Sequence, residues 1–175
     1  FVTDAGQLAE LRSLGYDVVV EIDDMERYYS SRLRGDNFGQ FHTYSETEDY
    51  LDALHAAYPS ITTARDSIGA TIEGRAIWAF KISDNPDLDE SEPEILFDGM
   101  HHAREPMSLE VQLYFIDWLT QNYGTDPEAT FLVDNREIWF IPIVNPDGYC
   151  YNETNYPSGG GMWRKNRRDN AGTTC

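Results

Sequence analysis

The chain has 175 residues, is 41% hydrophobic and 13% aromatic, and carries a formal net charge of −18. That length suits one domain with a substantial core, and that composition excludes a disordered chain. No apolar run approaches the ~20 residues of a membrane span, and a net charge of −18 leaves too little basic surface to release phosphate counterions, which argues against nucleic acid and anionic membranes as partners.

Residues 1–35 read as a unit apart from the rest of the chain. Leu8, Leu11 and Leu14 are spaced as on a helix from Gln7 to Leu14. The run YDVVVEI (Tyr16–Ile22) is rich in strand formers, and Asp23-Asp24 caps a second helix over Met25–Leu33. The segment RLRGDNFG (Arg32–Gly39) is basic, contains glycine and is turn-prone, so it reads as a linker to about residue 40. The chain begins at Phe1 without a signal-peptide pattern, and such a start reads as a chain that lacks its original beginning.

From Tyr44 a helix is expected, with Ser45 and Glu48 as a capping box and Tyr50, Leu51, Leu54, Ala57 and Tyr58 on one face. Pro59 stops it. His42 and His55 are read as packing or surface histidines. Ile61–Ile68 and Ala76–Ile82 are predicted strands around a turn from Gly69 to Gly74. The acidic run Asp84–Glu94 comes next; it could bind Ca²⁺, but it lacks a Ca²⁺-loop spacing, so a solvated loop is the favoured reading.

The focal stretch is EILFDGMHHAREP (Glu94–Pro106). Ile95, Leu96 and Phe97 predict a buried strand, and Met107–Tyr123 predicts a helix apolar on most of its circumference and therefore buried. The polar cluster between them sits at a strand-to-helix turn, where α/β proteins often place their chemistry. His102 and Glu105 offer an imidazole nitrogen and a carboxylate three residues apart, both good Zn²⁺ ligands. About 0.3 such pairs are expected by chance in a chain with this many histidines and glutamates, so spacing alone leaves a zinc site and a solvated turn both open. Arg104, between them, could hold a substrate carbonyl or carboxylate.

Asp126-Pro127 predicts a short helix to about Asp134, and Glu137–Val144 a buried strand that breaks at the turn Asn145-Pro146-Asp147-Gly148. Three strands, two helices and a further strand point to an α/β domain with a mixed β-sheet flanked by helices. Beyond Gly148 come a glycine triplet and the patch Trp163-Arg164-Lys165-Asn166-Arg167-Arg168. That patch reads equally as a salt-bridging surface or as a loop presenting guanidinium groups to an anionic or carbonyl-bearing ligand; Arg164 is its best-anchored candidate. Cys150 and Cys175 are in no Cys-x-x-Cys spacing. A disulfide between them and two unrelated thiols are equally open.

HHARE (His101–Glu105), NPDGY (Asn145–Tyr149) and WRKNR (Trp163–Arg167) occur in the order, and at about the separations, of the zinc carboxypeptidases. From about Phe41 to Cys175 the chain resembles that family, most of all the bacterial secreted members of the carboxypeptidase T type; GRAIWAFKISDNP (Gly74–Pro86) also looks like it. The resemblance implies an α/β/α catalytic domain whose N-terminal half is residues 41–175. Position by position, His102 and Glu105 match the first two zinc ligands. Arg104 matches an arginine that contacts substrate upstream of the scissile bond. Arg164 matches the arginine that polarises the scissile carbonyl and stabilises the oxyanion. His101 neighbours a ligand and matches none. The family's third ligand, its glutamate base, its tyrosine and its carboxylate-binding asparagine–arginine pair would fall after Cys175.

The implied activity is zinc-dependent hydrolysis of C-terminal peptide bonds, with one catalytic Zn²⁺, peptide or protein C-termini as substrates, a monomeric state and a secreted location. Residues 1–35 would be an N-terminal extension or the tail of an activation segment, cleaved near Arg32 or Arg34. The rival readings are a related zinc amidohydrolase or cell-wall peptide peptidase, and a metal-free binding homologue. The 175 residues alone are expected to lack turnover and to expose an unpaired sheet edge.

Overall fold

The computed structural model of the chain describes residues 4–23 and 38–169. Its elements are α1 (Ala5–Ser13), α2 (Tyr44–Ala57), β1 (Asp66–Ala70), β2 (Ala76–Ile82), β3 (Glu94–Asp98), α3 (Met107–Asn122), α4 (Pro127–Asp134), β4 (Glu137–Ile141) and α5 (Pro146–Asn155). The strands form one mixed sheet in the order β1-β2-β4-β3, the α/β architecture expected from the sequence. β4 lies antiparallel to β2, with Phe80 opposite Phe140. It lies parallel to β3, from Glu94 opposite Glu137 to Asp98 opposite Ile141. The crossover between these parallel strands is α3 and α4, as such a pairing requires.

The core forms between this sheet and the helices. Leu51 of α2, Phe80 and Phe140 of the sheet, and Leu109, Ile116 and Leu119 of α3 are fully buried; each such side chain contributes about 1.5–3 kcal/mol on leaving water. Phe97 stacks on Phe140 at 5.4 Å and meets Phe115 of α3 edge-on at 5.2 Å. These ring contacts tie the end of β3 to the start of the crossover, directly beside the focal turn.

Several expectations need correcting. The strand at β3 is exposed, not buried: Ile95, Leu96 and Phe97 are 36%, 57% and 37% accessible. The cause is strand order, since β4 is its neighbour on one side and the other side is an open edge among the described residues. Helix α3 buries one face only; Met107, Val111 and Tyr114 form an exposed stripe. The strand expected over Ile61–Ile68 begins at Asp66, after an isolated bridge between Thr62 and Ile82. There the Lys81 amide donates to the Thr63 hydroxyl, so a side chain takes the place of a ladder carbonyl. The cap of α2 is Thr43 with Glu46, not Ser45 with Glu48. Glu48 instead accepts from Trp78 Nε1 at 2.8 Å and from Arg65 at 3.1 Å.

Tyr16–Ile22 forms no strand, and Val19 is 77% exposed; strand propensity is expressed only where a partner strand and a packed face exist. Helix α1 is held by a capping box from Asp4 and Gln7 and buries none of its residues. The helix expected over Met25–Leu33, the arginines 32 and 34, and Cys175 lie outside the described residues.

On the sheet face away from α3, Lys81 pairs with Glu137 at 2.9 Å, their side chains 4% and 2% exposed. Hydrogen bonding by the Glu90 amide, reinforced by Lys81, holds the Glu137 carboxyl below the usual range against the effect of burial. The pair lines a cavity of about 530 Å³ together with Asp66, Leu88 and Trp139. Lys81→Ala leaves a buried carboxylate without its counterion and is expected to cost about 3–5 kcal/mol in urea unfolding. Because the folded Glu137 has the lower pKa, its contribution is present above the unfolded value near ~4.3 and is lost as pH falls through the folded one.

Candidate metal and active site

The focal turn is built where β3 runs out beside β4 and α3 begins. Gly99 donates to the Ile141 carbonyl and accepts from the Val144 amide. A Cβ there would lie 2.2 Å from Gln112 Nε2 and 3.0 Å from the Ser108 carbonyl, so only glycine lets the chain pass the first turn of α3. Met100 comes next, buried and left-handed at φ +53°, its amide bonded to Ser108 Oγ. A bulky residue in that region is strained. The strain redirects the chain so that residues 101–105 cross the end of the sheet.

His101 turns aside, with Nε2 3.3 Å from Asp98, and does not join the cluster. His102 does. Its Nδ1 lies 2.9 and 3.1 Å from the two Glu105 carboxylate oxygens and 3.1 Å from an Arg164 guanidinium nitrogen. One ring nitrogen cannot donate to a carboxylate and accept from a guanidinium at once. The imidazole nitrogen, the carboxylate and the guanidinium therefore crowd one point. That donor set fits Zn²⁺, which takes histidine nitrogen and carboxylate oxygen. The side chains are 39% and 52% exposed, so the point is open to solvent. Among the described residues no third histidine, cysteine or carboxylate joins them. Arg104 is half-buried in the same turn, and among the described residues it is not drawn into the cluster.

Arg164 arrives from far along the chain. Its carbonyl accepts from the Ala103 amide at 3.1 Å, so the two segments are joined through backbone. Two neighbours in the basic patch are committed elsewhere. The Arg167 guanidinium lies over the rings of Tyr151 and Trp163, at 4.2 and 4.5 Å, and its Nε donates to Glu73. Trp163 Nε1 donates to the Lys165 carbonyl. Arg164 thus faces His102 and Glu105, while Trp163 and Arg167 anchor the loop.

The expected turn at Asn145–Gly148 is the first turn of α5. Asn145 is its N-cap and accepts from the Gly148 amide; Pro146 takes the first helical position. Asn145 Nδ2 also donates to the His101 carbonyl at 3.2 Å. Asp147, buried, accepts from Thr71, Arg75 and the Glu73 amide, tying the β1–β2 turn to α5. Burial opposes ionisation of Asp147, but these hydrogen bonds and the Arg75 charge outweigh it and hold the carboxyl below its usual range. Neither Asn145 nor Asp147 is assigned to the site from the sequence. The Asn-Pro pair, a cap followed by proline at the first helical position, is the signal that marks a helix in place of the expected turn.

Outside this cluster the remaining candidates are structural. His42 pairs with Glu110 at 2.9 Å, and His55 bonds to Thr62. Cys150 is half-buried on α5, where burial, then the nearby Glu153, pushes its thiol up to about 12. Asp84, Glu90 and Glu92 gather in the acidic loop, where Asn85 Nδ2 already donates to Asp84 and Glu90.

The sequence profile of zinc carboxypeptidases matches residues 47–175. A zinc carboxypeptidase of Saccharothrix mutabilis subsp. capreolus is 36% identical over 163 residues, covering 93% of this chain and 36% of its own length. Carboxypeptidase A2 of Mus musculus is 30% identical over 184 residues, covering 99% of this chain and 42% of its own length. Among solved structures, a carboxypeptidase A from Helicoverpa armigera superposes with a TM-score of 0.77 at 26% identity, covering 95% of this chain and 42% of that one. The chain therefore spans less than half the length of these relatives. With a profile match spanning most of its length and a relative 36% identical over 93% of it, the chain belongs to the zinc carboxypeptidase family.

Proposed function

We propose that the full-length protein is a zinc metallocarboxypeptidase that hydrolyses C-terminal peptide bonds, and that this chain contributes two metal ligands and the oxyanion arginine. The observation that carries the reading is the convergence of His102 Nδ1, the Glu105 carboxylate and Arg164 on one solvent-open point. His102 and Glu105 would hold the metal, which when bound supplies Lewis acidity and an acidified water. Arg164, on a loop held by its neighbours, presents a fixed donor to the carbonyl oxygen as charge grows on it. Arg104 would contact substrate upstream of the scissile bond. The third ligand and the general base would come from outside this chain. Secretion and a monomeric state are part of the same proposal, as is an N-terminal extension over residues 1–35, supported by a helix α1 that buries nothing.

The test is product analysis. Purified full-length protein incubated with N-blocked peptides should release single C-terminal residues, stop with a chelator and recover on adding Zn²⁺. Internal cleavage, or loss of the blocking acyl group instead, would reassign it to a neighbouring hydrolase class. Treatment with a trypsin-like protease, followed by N-terminal sequencing, tests the extension; a fully active uncut protein counts against an activation segment.

A further inference from the structure

The proposed activity needs a metal-ligand loop and an arginine that come from distant parts of the chain. Besides the direct Ala103–Arg164 bond, what holds them in register is a side chain on α5. Asn152 is 1% exposed. Its Nδ2 donates to the Ala103 carbonyl at 2.8 Å and to the Trp163 carbonyl at 2.9 Å, and its Oδ1 accepts from the Trp163 amide at 3.1 Å. Ala103 adjoins the ligand His102, and Trp163 adjoins Arg164. One carboxamide therefore spans both segments, pairing with Trp163 through N–H and C=O as a neighbouring strand would.

The chemistry of this position is narrow. Two carbonyl oxygens need two N–H donors on one atom, which a primary amide has and a carboxylate lacks. The room is narrow too. A Cβ on Gly161 would lie 2.5 Å from Asn152 Oδ1 and 2.8 Å from Asn152 Cβ, so the glycine triplet closes against the carboxamide.

We propose that Asn152 is a positioning residue that sets Arg164 against the His102–Glu105 pair; this rests on the metallocarboxypeptidase reading above. It touches neither metal nor substrate and acts through the two loops it joins. Losing partners of this outer kind typically costs 10–100-fold in metal affinity or activity.

The test uses full-length protein carrying Asn152→Asp or Gly161→Ala. The first keeps the shape and removes both donors; the second keeps every hydrogen-bonding group and displaces the carboxamide. Two quantities are read: the zinc dissociation constant by competition with a chromogenic chelator, and kcat and KM separately at saturating zinc. For each variant we expect the zinc Kd to rise about tenfold, kcat to fall about 10–100-fold and KM to stay within about twofold. Adding Arg164→Ala should lower kcat no further than Arg164→Ala alone, because residues acting through one group are not additive. Should Asn152→Asp fail to fold, Gly161→Ala carries the test. A folded variant with wild-type zinc Kd and wild-type kcat overturns the proposal, as do losses that multiply with that of Arg164→Ala. If the wild-type protein releases no C-terminal residues, the proposed activity falls, and the zinc competition still reads the register of the two loops.

Discussion

Glu105→Ala in the full-length protein is expected to strip the metal and with it all hydrolysis. The side chain is 52% exposed and faces His102 Nδ1. Its backbone carbonyl, which accepts from Ser108 Oγ, is unchanged by the substitution. The fold should therefore survive within the ~0.5 kcal/mol typical of surface changes. Zinc binding should not: removing a direct ligand ought to exceed the 10–100-fold that outer partners cost. Elemental analysis after dialysis against a weak chelator is the measurement. Wild-type zinc content in a folded variant would remove Glu105 from the ligand set.

Arg164→Ala should separate chemistry from metal binding. The Arg164 carbonyl still accepts from Ala103, and Trp163 and Arg167 still pin the loop, so His102 and Glu105 keep their places. Zinc content is expected to match the wild type. Turnover is expected to fall about 10²–10³-fold, the usual cost of one oxyanion donor. KM should change little, because the donor acts on charge that develops only in the transition state. Arg164→Lys keeps the charge without the planar fork and should recover part of the rate. A raised KM with kcat intact would instead mark Arg164 as a ground-state binding group.

Local signals made much of the fold legible. Ala76–Ile82 was readable to the residue, and Asp126-Pro127 announced α4 as a cap followed by proline at the first helical position. His102, Glu105 and Arg164 were legible because three motifs in order resemble one family, and the structure brings these three together. Exposure of β3 was not legible: Ile95-Leu96-Phe97 reads as core until strand order places it at an edge. Asn152 was hidden for a similar reason. In the polar run YNETN it reads as solvated, and it becomes buried only where α5, the ligand turn and the Trp163 loop meet. Burial of a polar residue is a property of the assembly, and no periodicity records it.

The position of β4 has a consequence for how the site comes into being. β4 lies between β2 and β3, yet it comes after β3 by about forty residues in the chain. While the polypeptide is being made, at ~5–20 residues per second, β2 emerges with only β1 to pair with, and β3 with no neighbouring strand. The turn at 99–105 has only its local bonds to α3 until Ile141 and Val144 appear, and Arg164 is later still. On the proposed ligand set, metal capture is expected to be a late event in biogenesis, set by long-range pairing, which is intrinsically slow. A nascent chain stalled before residue 137 should hold zinc no better than an unfolded peptide bearing the same two ligands.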